Sequence, residues 1–381
     1  MKFTSIAAAV MAVVAASSLS AAAAAQAQTQ VIKIGLSGPL SGANAFAGKD
    51  NENGVRLAVE ELNARQPKPT VAGKPVRFEL LSEDDQGDPK AGVNVAQKFA
   101  DAGVRFVLGP YNSGVALPAA RVYNDAGIMM STVGTNPKIT QSGYKLVFRT
   151  VASDSQVGAQ VANYAAKNLK VKTVGVIDDR TAFGQGIAAE FTRQAKASGI
   201  AVAGQEFTTD KASDFASILT RLKAKNVDAI FFGGYAPQAA PMARQMKALG
   251  LNAKLLGGDT LCSPEMAKLG GDAVADNVLC AQAGAVLEKQ KAGPAFQARY
   301  QARFKQNPDV YAAAFYDQTM FLASAIAATG STDPTVVAGA MRTMTHPGVV
   351  GSYGYDANGN LKASTVTMYT FKNGALVALG Q

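Results

Sequence analysis

Short apolar runs alternate with longer stretches of helical period along most of the chain. IKIGL at 32–36 is followed, after a Gly/Ser/Asn loop, by NGVRLAVEELNA at 53–64, whose apolar residues recur every three or four positions. VRFELLSEDD at 76–85 leads through Asp88-Pro89 to AGVNVAQKFADAG at 91–103. VRFVLGP then leads to a helical stretch ending near Gly127, and GIMMST and KLVFRTV (145–151) follow as strands. Strands that each feed a helix, and that are apolar on both faces, predict a parallel sheet covered on both sides.

After Ser153-Asp154-Ser155 the series restarts. TVGVIDD at 173–179, VAGQEFT, DAIFFGG at 228–234 and KLLGG at 254–258 alternate with FGQGIAAEFTRQAKASG, FASILTRLKAKN and PQAAPMARQMKALG. The restart predicts a second α/β unit. Downstream, AFQARYQARFKQN, VYAAAFYDQTMFLASAIAATG and PTVVAGAMRTM read as helices that pack best by returning to the first lobe. The tail TVTMYTFKNGALVAL, with its Asn373-Gly374 turn, reads as a terminal hairpin on the second lobe. The expected lobes are 28–152 with 284–357, and 153–283 with 358–381, with a hinged cleft between them.

One change of pattern bears on function. The apolar run GIMM at 127–130 opens into the polar stretch STVGTNPKIT at 131–140. Polar chain just past the carboxyl end of a buried strand is where open α/β sheets bind ligands. The same composition also suits a βα turn with a capping hydroxyl, so the residues alone leave both readings open.

Composition narrows the class. A chain of 381 residues, 48% hydrophobic with 15 Pro and 37 Gly, is neither disordered nor fibrous and is long enough for two cored domains. Its first residues, MKFTSIAAAVMAVVAASSLSAAAAAQAQTQ, contain a basic start, an apolar run and Ala25-Gln26-Ala27. Those are the parts of a secretory signal peptide, with cleavage expected after Ala27 and the mature protein in the periplasm. An uncleaved membrane anchor is the weaker reading, because the strongly apolar part is short and an A-x-A site follows it. The net charge is +9, but Lys and Arg are scattered and no aromatic-plus-basic module is present, so no nucleic-acid partner is expected.

Motifs for chemistry are lacking. GLSGPLSG at 35–42 has the wrong spacing for a dinucleotide turn, Gly184 and Gly186 form only a weak G-x-G, and neither a P-loop nor G-x-S-x-G occurs. Asp84 and Asp85 are adjacent and should diverge into a structural turn. His346, the only histidine, removes any His-based triad and reads as a cap or surface residue. Cys262 and Cys280 are a disulfide candidate in an exported chain. Two separate buried thiols remain open, whereas zinc would need closer spacing and further ligands. No enzyme activity, cofactor or metal is expected.

Beyond these readings, IKIGLSGPLSGANAFAG, EDDQGDPKAGV, GPYNSG, GIMMSTVGTNP and RTVASDSQVG, and then IDDRTAFGQG, FFGGYAPQ and LLGGDTLC, follow one another in a specific order and spacing. In this the chain resembles, over residues 31–381, the branched-chain amino-acid-binding proteins of ATP-driven uptake systems, within the type I periplasmic binding-protein superfamily. The resemblance implies two doubly wound, Rossmann-like lobes joined by three crossover strands, with solute bound between them. Ser113 matches the serine that contacts the ligand carboxylate, and a serine opening a helix suits an anion. Thr135 matches a threonine on the amino-acid head group, with the backbone of Val133 or Gly134 accepting from the ammonium, which makes STVGT a ligand clamp.

Asp259 of GGDTLC stands where the family often has a glutamate paired with the ligand ammonium, and is one methylene shorter. Tyr235 and Phe183 match cleft positions of the second lobe, Phe183 where tyrosine is common. Phe46 would close the pocket from the first lobe, and Tyr111 and Tyr316 are further wall candidates. Some members bridge a cysteine in the DD-x-x-DP region to one near the clamp serine. Gln86 and Asn112 occupy those places here, so any bridge is Cys262–Cys280. The resemblance implies a soluble, monomeric periplasmic receptor with no reaction of its own. It would deliver a small zwitterionic amino acid, branched-chain or otherwise aliphatic, to a membrane permease and its ATPase complex. The alternatives are a binder of an aromatic acid, amide or urea-type solute, and a ligand-responsive sensor.

Overall fold

A computed structural model of the protein describes residues 29–284 and 286–379; the signal peptide expected over 1–27 lies outside the described residues. The first sheet contains β1 (Gln30–Gly38), β2 (Thr70–Val71), β3 (Lys74–Asp84), β4 (Phe106–Leu108), β5 (Met129–Thr132) and β6 (Val147–Arg149). Their order is β2-β3-β1-β4-β5-β6, parallel from β3 to β6, with β2 as a short antiparallel edge. The direction of winding reverses between β1 and β4, which opens a crevice at the carboxyl ends of those strands.

The second sheet contains β7 (Thr173–Asp178), β8 (Ala201–Phe207), β9 (Ala229–Gly233), β10 (Lys254–Gly257) and β11 (Val278–Ala283). After the two-residue pair β12 (His346–Pro347) and β13 (Ser352–Tyr353), the chain adds β14 (Val366–Lys372) and β15 (Ala375–Ala378). The order is β15-β14-β11-β10-β9-β7-β8, parallel from β8 to β11 and antiparallel at β14 and β15. The terminal hairpin is where the Asn373-Gly374 turn predicts it, with both turn residues at positive φ.

Helices Gly293–Phe304, Ala312–Thr329 and Pro334–Thr343 go back to the first sheet: the first two pack on helix Ala45–Ala64 and the third against β5. Helix Asp154–Lys167 instead packs on Ala182–Ala197 and on β10, β11 and β14. The chain therefore passes between sheets after β6, after β11 and before β14. One apolar cluster runs from Leu36 and Phe106 of the first sheet through Tyr111, Phe183 and Tyr235 to Val176 and Phe231 of the second.

Two local expectations are revised and a third holds. The helix expected over 53–64 begins at Ala45, because the polar residues Asp50 and Asn51 are themselves buried. Asp50 accepts from Tyr300 Oη and from the Asp309 and Ala312 backbone, so its carboxyl is spent on fastening the helix, and periodicity could not register that. His346 is not a cap and is half-buried rather than fully exposed. It lies in β12, and its ring stacks on Phe321 at 5.2 Å; burial, with Arg65 nearby, lowers its pKa. Asp84 and Asp85 do diverge into turns: Asp84 accepts from Leu40 N and Ser41 Oγ, and Asp85 from Ser37 Oγ and Gly87 N.

Candidate functional site

The carboxyl ends of β4, β5, β7, β9 and β10 converge between the two sheets. Ser113 opens helix Ser113–Asp125 after β4, and Val133 and Thr135 follow β5. Phe183 is in the first turn of the helix after β7, Tyr235 is the N-cap after β9, and Asp259 begins a 3-10 turn after β10. With Tyr111, Thr260 and Tyr311, these side chains line one buried pocket whose free volume is about 10 Å³. The rings form a continuous wall, with Tyr235 5.2 Å from Phe183 and 6.2 Å from Tyr111 between centroids, and Tyr111 6.2 Å from Tyr311.

The segment after β5 is held from several directions. Asn136 N donates to Ser113 Oγ (3.2 Å), and Asn136 Nδ2 donates across the cleft to Ala182 O (2.7 Å). The buried Arg149 guanidinium donates to Thr135 O at 3.3 Å and Asn136 O at 2.9 Å, and also to Thr140 Oγ1 and Asn360 Oδ1. Burial lowers the Arg149 pKa to about 10, so it is still a cation at neutral pH. Behind the pocket, Gly134 N donates to Thr132 Oγ1 at 2.8 Å, and a Cβ on Gly134 would come 2.8 Å from Ile139 Cδ1.

Two carboxylates belong to this region. Asp259 is fully enclosed; burial pushes its pKa up to about 6, opposed by the Tyr311 hydroxyl, which donates to Oδ2. Asp154 opens helix Asp154–Lys167, and burial raises it to about 8. The Thr135 hydroxyl is near enough to pull that value down, yet neither Asp154 oxygen has a well-formed hydrogen bond.

The structure thus brings together Ser113, Val133, Thr135, Phe183, Tyr235, Asp259 and Tyr111. Phe46 lines an adjoining pocket with Tyr111, Thr260 and Tyr311. Tyr316 is not part of the wall: its hydroxyl donates to Glu61 Oε2 at 2.6 Å and its ring packs on Phe296. It lies five positions beyond Tyr311 in one buried helical run, and the pattern gave no means of choosing between the two tyrosines. Thr260, Tyr311, Asn136 and Asp154 were missed for a similar reason, since only the packing of the lobes makes them neighbours. Cys262 and Cys280 form a disulfide that joins the Asp259 turn to β11, and zinc and free thiols are excluded for this pair. A larger cavity of about 590 Å³ lies beside the interlobe crossings, but Ser113, Thr135 and Asp259 are absent from its lining.

A two-lobed α/β protein with a carboxylate, hydroxyls and rings buried between its lobes is built to enclose a small solute. Residues 31–375 match the periplasmic binding protein family model, and the chain belongs to that family of transporter substrate-binding proteins. It is similar to the Leu/Ile/Val-binding protein BraC3 of Rhizobium johnstonii, at 34% identity over 91% of this chain and 93% of the relative. The leucine-, isoleucine-, valine-, threonine- and alanine-binding protein of Pseudomonas aeruginosa is 32% identical over 90% of this chain and 91% of its own length. Among solved structures, the leucine-binding protein LivK of Thermotoga maritima superposes with a TM-score of 0.84 at 29% identity, covering 92% of this chain and 98% of that one. LivJ of Streptococcus pneumoniae, in complex with isoleucine, gives 0.82 at 26% identity, covering 92% and 99%. The expected type I periplasmic binding-protein fold is therefore observed. Among the described residues no helix is long and apolar enough to cross a membrane.

Proposed function

We propose that the protein is the periplasmic substrate-binding component of an ABC importer, capturing a branched-chain or other aliphatic L-amino acid between its lobes for a membrane permease and its ATPase. The observation that carries this reading is the polarity of the buried pocket. Asp259 comes from the second lobe, Ser113 and Thr135 come from the first, and aromatic rings fill the wall between them. A ligand ammonium suits the acid, and a ligand carboxylate suits the hydroxyls and the free N–H groups of a helix's first turn. A plain carboxylic acid would meet like charge at Asp259, which disfavours the aromatic-acid alternative. The relatives that bind leucine, isoleucine or valine support the same ligand class.

The reading extends to export with cleavage after Ala27, to a monomer, and to lobes 28–152 with 284–357 and 153–283 with 358–381. N-terminal sequencing of the exported protein and size-exclusion chromatography test the first two. Calorimetry with L-leucine, L-isoleucine, L-valine, benzoate and urea tests the ligand class. Aliphatic amino acids should bind, and tighter binding of benzoate or urea would replace this reading. Truncating one partner of a desolvated charge pair costs about 2–5 kcal/mol, so Asp259→Ala should weaken the amino acid by roughly 30-fold or more. Asp259→Asn should fall between. Equal affinity for all three proteins would make Asp259 a structural cap.

A further inference from the structure

We infer that Tyr311 is the positioning residue for the ammonium end of this pocket: its hydroxyl reaches across the lobe interface, fixes one oxygen of Asp259 and keeps that carboxylate charged. The inference rests on the reading that the pocket receives an amino acid.

Tyr311 immediately precedes helix Ala312–Thr329, and the backbone on either side of it is held firmly. Asp50 accepts from Asp309 N at 2.9 Å and from Ala312 N at 3.1 Å. Asp309 in turn accepts from Ser263 Oγ at 2.7 Å, four residues beyond Asp259 in the second lobe. The Tyr311 ring packs edge-on against Tyr111 at 63°. So placed, the hydroxyl donates to Asp259 Oδ2, while Asp259 Oδ1 is buried with no hydrogen-bond partner among the described residues. One oxygen is fixed by the protein; the other is left to accept from a ligand N–H.

Among the described residues, the charged and titratable groups facing Asp259 are the Tyr311, Tyr111 and Tyr235 hydroxyls and the Asp154 carboxyl. None is a cation. A buried carboxylate in such company tends to take up a proton, and a protonated acid is a poor partner for an ammonium. The Tyr311 hydrogen bond opposes that protonation, together with the backbone N–H groups of Asp259 and Thr260. Removing one hydroxyl should therefore change the pH at which the site works without changing its shape.

The test compares wild type with Tyr311→Phe in two measurements. In the first, protein labelled at the aspartate carboxyl carbons is titrated by NMR with no ligand added, and Asp259 is assigned through Asp259→Asn. The Asp259 midpoint should rise by about one pH unit in Tyr311→Phe, the size of shift a lost hydrogen bond to a charged group produces. An unchanged midpoint would overturn the inference. In the second, calorimetry with L-leucine runs from pH 5.5 to 8.5. Wild-type affinity should weaken below about pH 6, and the same acid limb should move upward in Tyr311→Phe, with much of the affinity regained at pH 8.5. A loss equal at every pH would mark Tyr311 as packing alone and would also overturn the inference. A shifted NMR midpoint with no L-leucine binding by wild type would sink the amino-acid reading and leave the Tyr311–Asp259 link standing.

Discussion

At the scale of single residues, Asp154 is an acid buried without well-formed hydrogen bonds to either oxygen. It is completely buried, and its pKa rises from 3.8 to about 8, first through burial and further through the Asp259 charge, with Thr135 and Arg149 pulling the other way. Because the folded value lies above the unfolded one, the folded protein holds a proton that the unfolded chain has released. Stability is therefore lost as pH rises from about 4 to about 8. Asp154→Asn should remove this component. Melting temperatures of the two proteins should lie closest near pH 4 and separate toward pH 8, where the variant melts higher. Identical pH dependence in scanning calorimetry would show that Asp154 is relieved by a partner in solution. Ser113, Thr135 and Asp259 were legible in the sequence because the motifs around them have a fixed order. The buried state of Asp154, which decides its chemistry, was not.

At the scale of elements, the pocket segment after β5 depends on the strand beside it. Arg149 ends β6 and ties Thr135 O and Asn136 O to Asn360, which lies on the third passage between the sheets. Arg149→Met would keep much of the stem but strip the charged donor from both carbonyls, leaving them only Asp154 N and Ile139 N, and a hydrogen bond to a charged group is worth about 1.5–3 kcal/mol. The expected result is a loss of roughly 2–4 kcal/mol in urea unfolding, with faster amide exchange confined mainly to residues 134–136. Exchange that speeds up equally throughout the first lobe would contradict a local tether. In the second lobe, the disulfide between Cys262 and Cys280 spans 18 residues, anchoring the Asp259 turn to β11. Replacing both cysteines by alanine should lower stability by about 2–4 kcal/mol. Thiol titration of the denatured, unreduced wild type should find none free.

At the scale of the whole molecule, the pocket is shut. The space left in it takes about one water. Hydrogen bonds cross between the lobes around it, among them Asn136 to Ala182, Tyr311 to Asp259, Ser263 to Asp309 and Asp154 N to Thr135 O. Solute can enter only if the lobes part, and the three chain passages are where such a hinge motion would bend. Small-angle scattering should give a larger radius without L-leucine than with it. Saturation verified by calorimetry at constant radius would reject hinge closure. Asn136→Ala should speed ligand dissociation by several-fold through loss of one interlobe bond, about 1 kcal/mol, with little change in association.

The sequence by itself determined the alternation of strand and helix, the restart after residue 153, the return of the late helices and the terminal hairpin. These are local matters: a strand buried on both faces must be apolar, and a tight turn must carry residues such as Asn373 and Gly374 that tolerate positive φ. The tertiary structure alone decided that Tyr311 and not Tyr316 faces Asp259, that Asp50 is buried inside a helix, and that Asp154 lies without a full set of partners. Periodicity tells which face of an element is covered, but not which side chain from another lobe covers it. Residues 52 apart, as Asp259 and Tyr311 are, become hydrogen-bond partners only when two separately wound sheets close on each other.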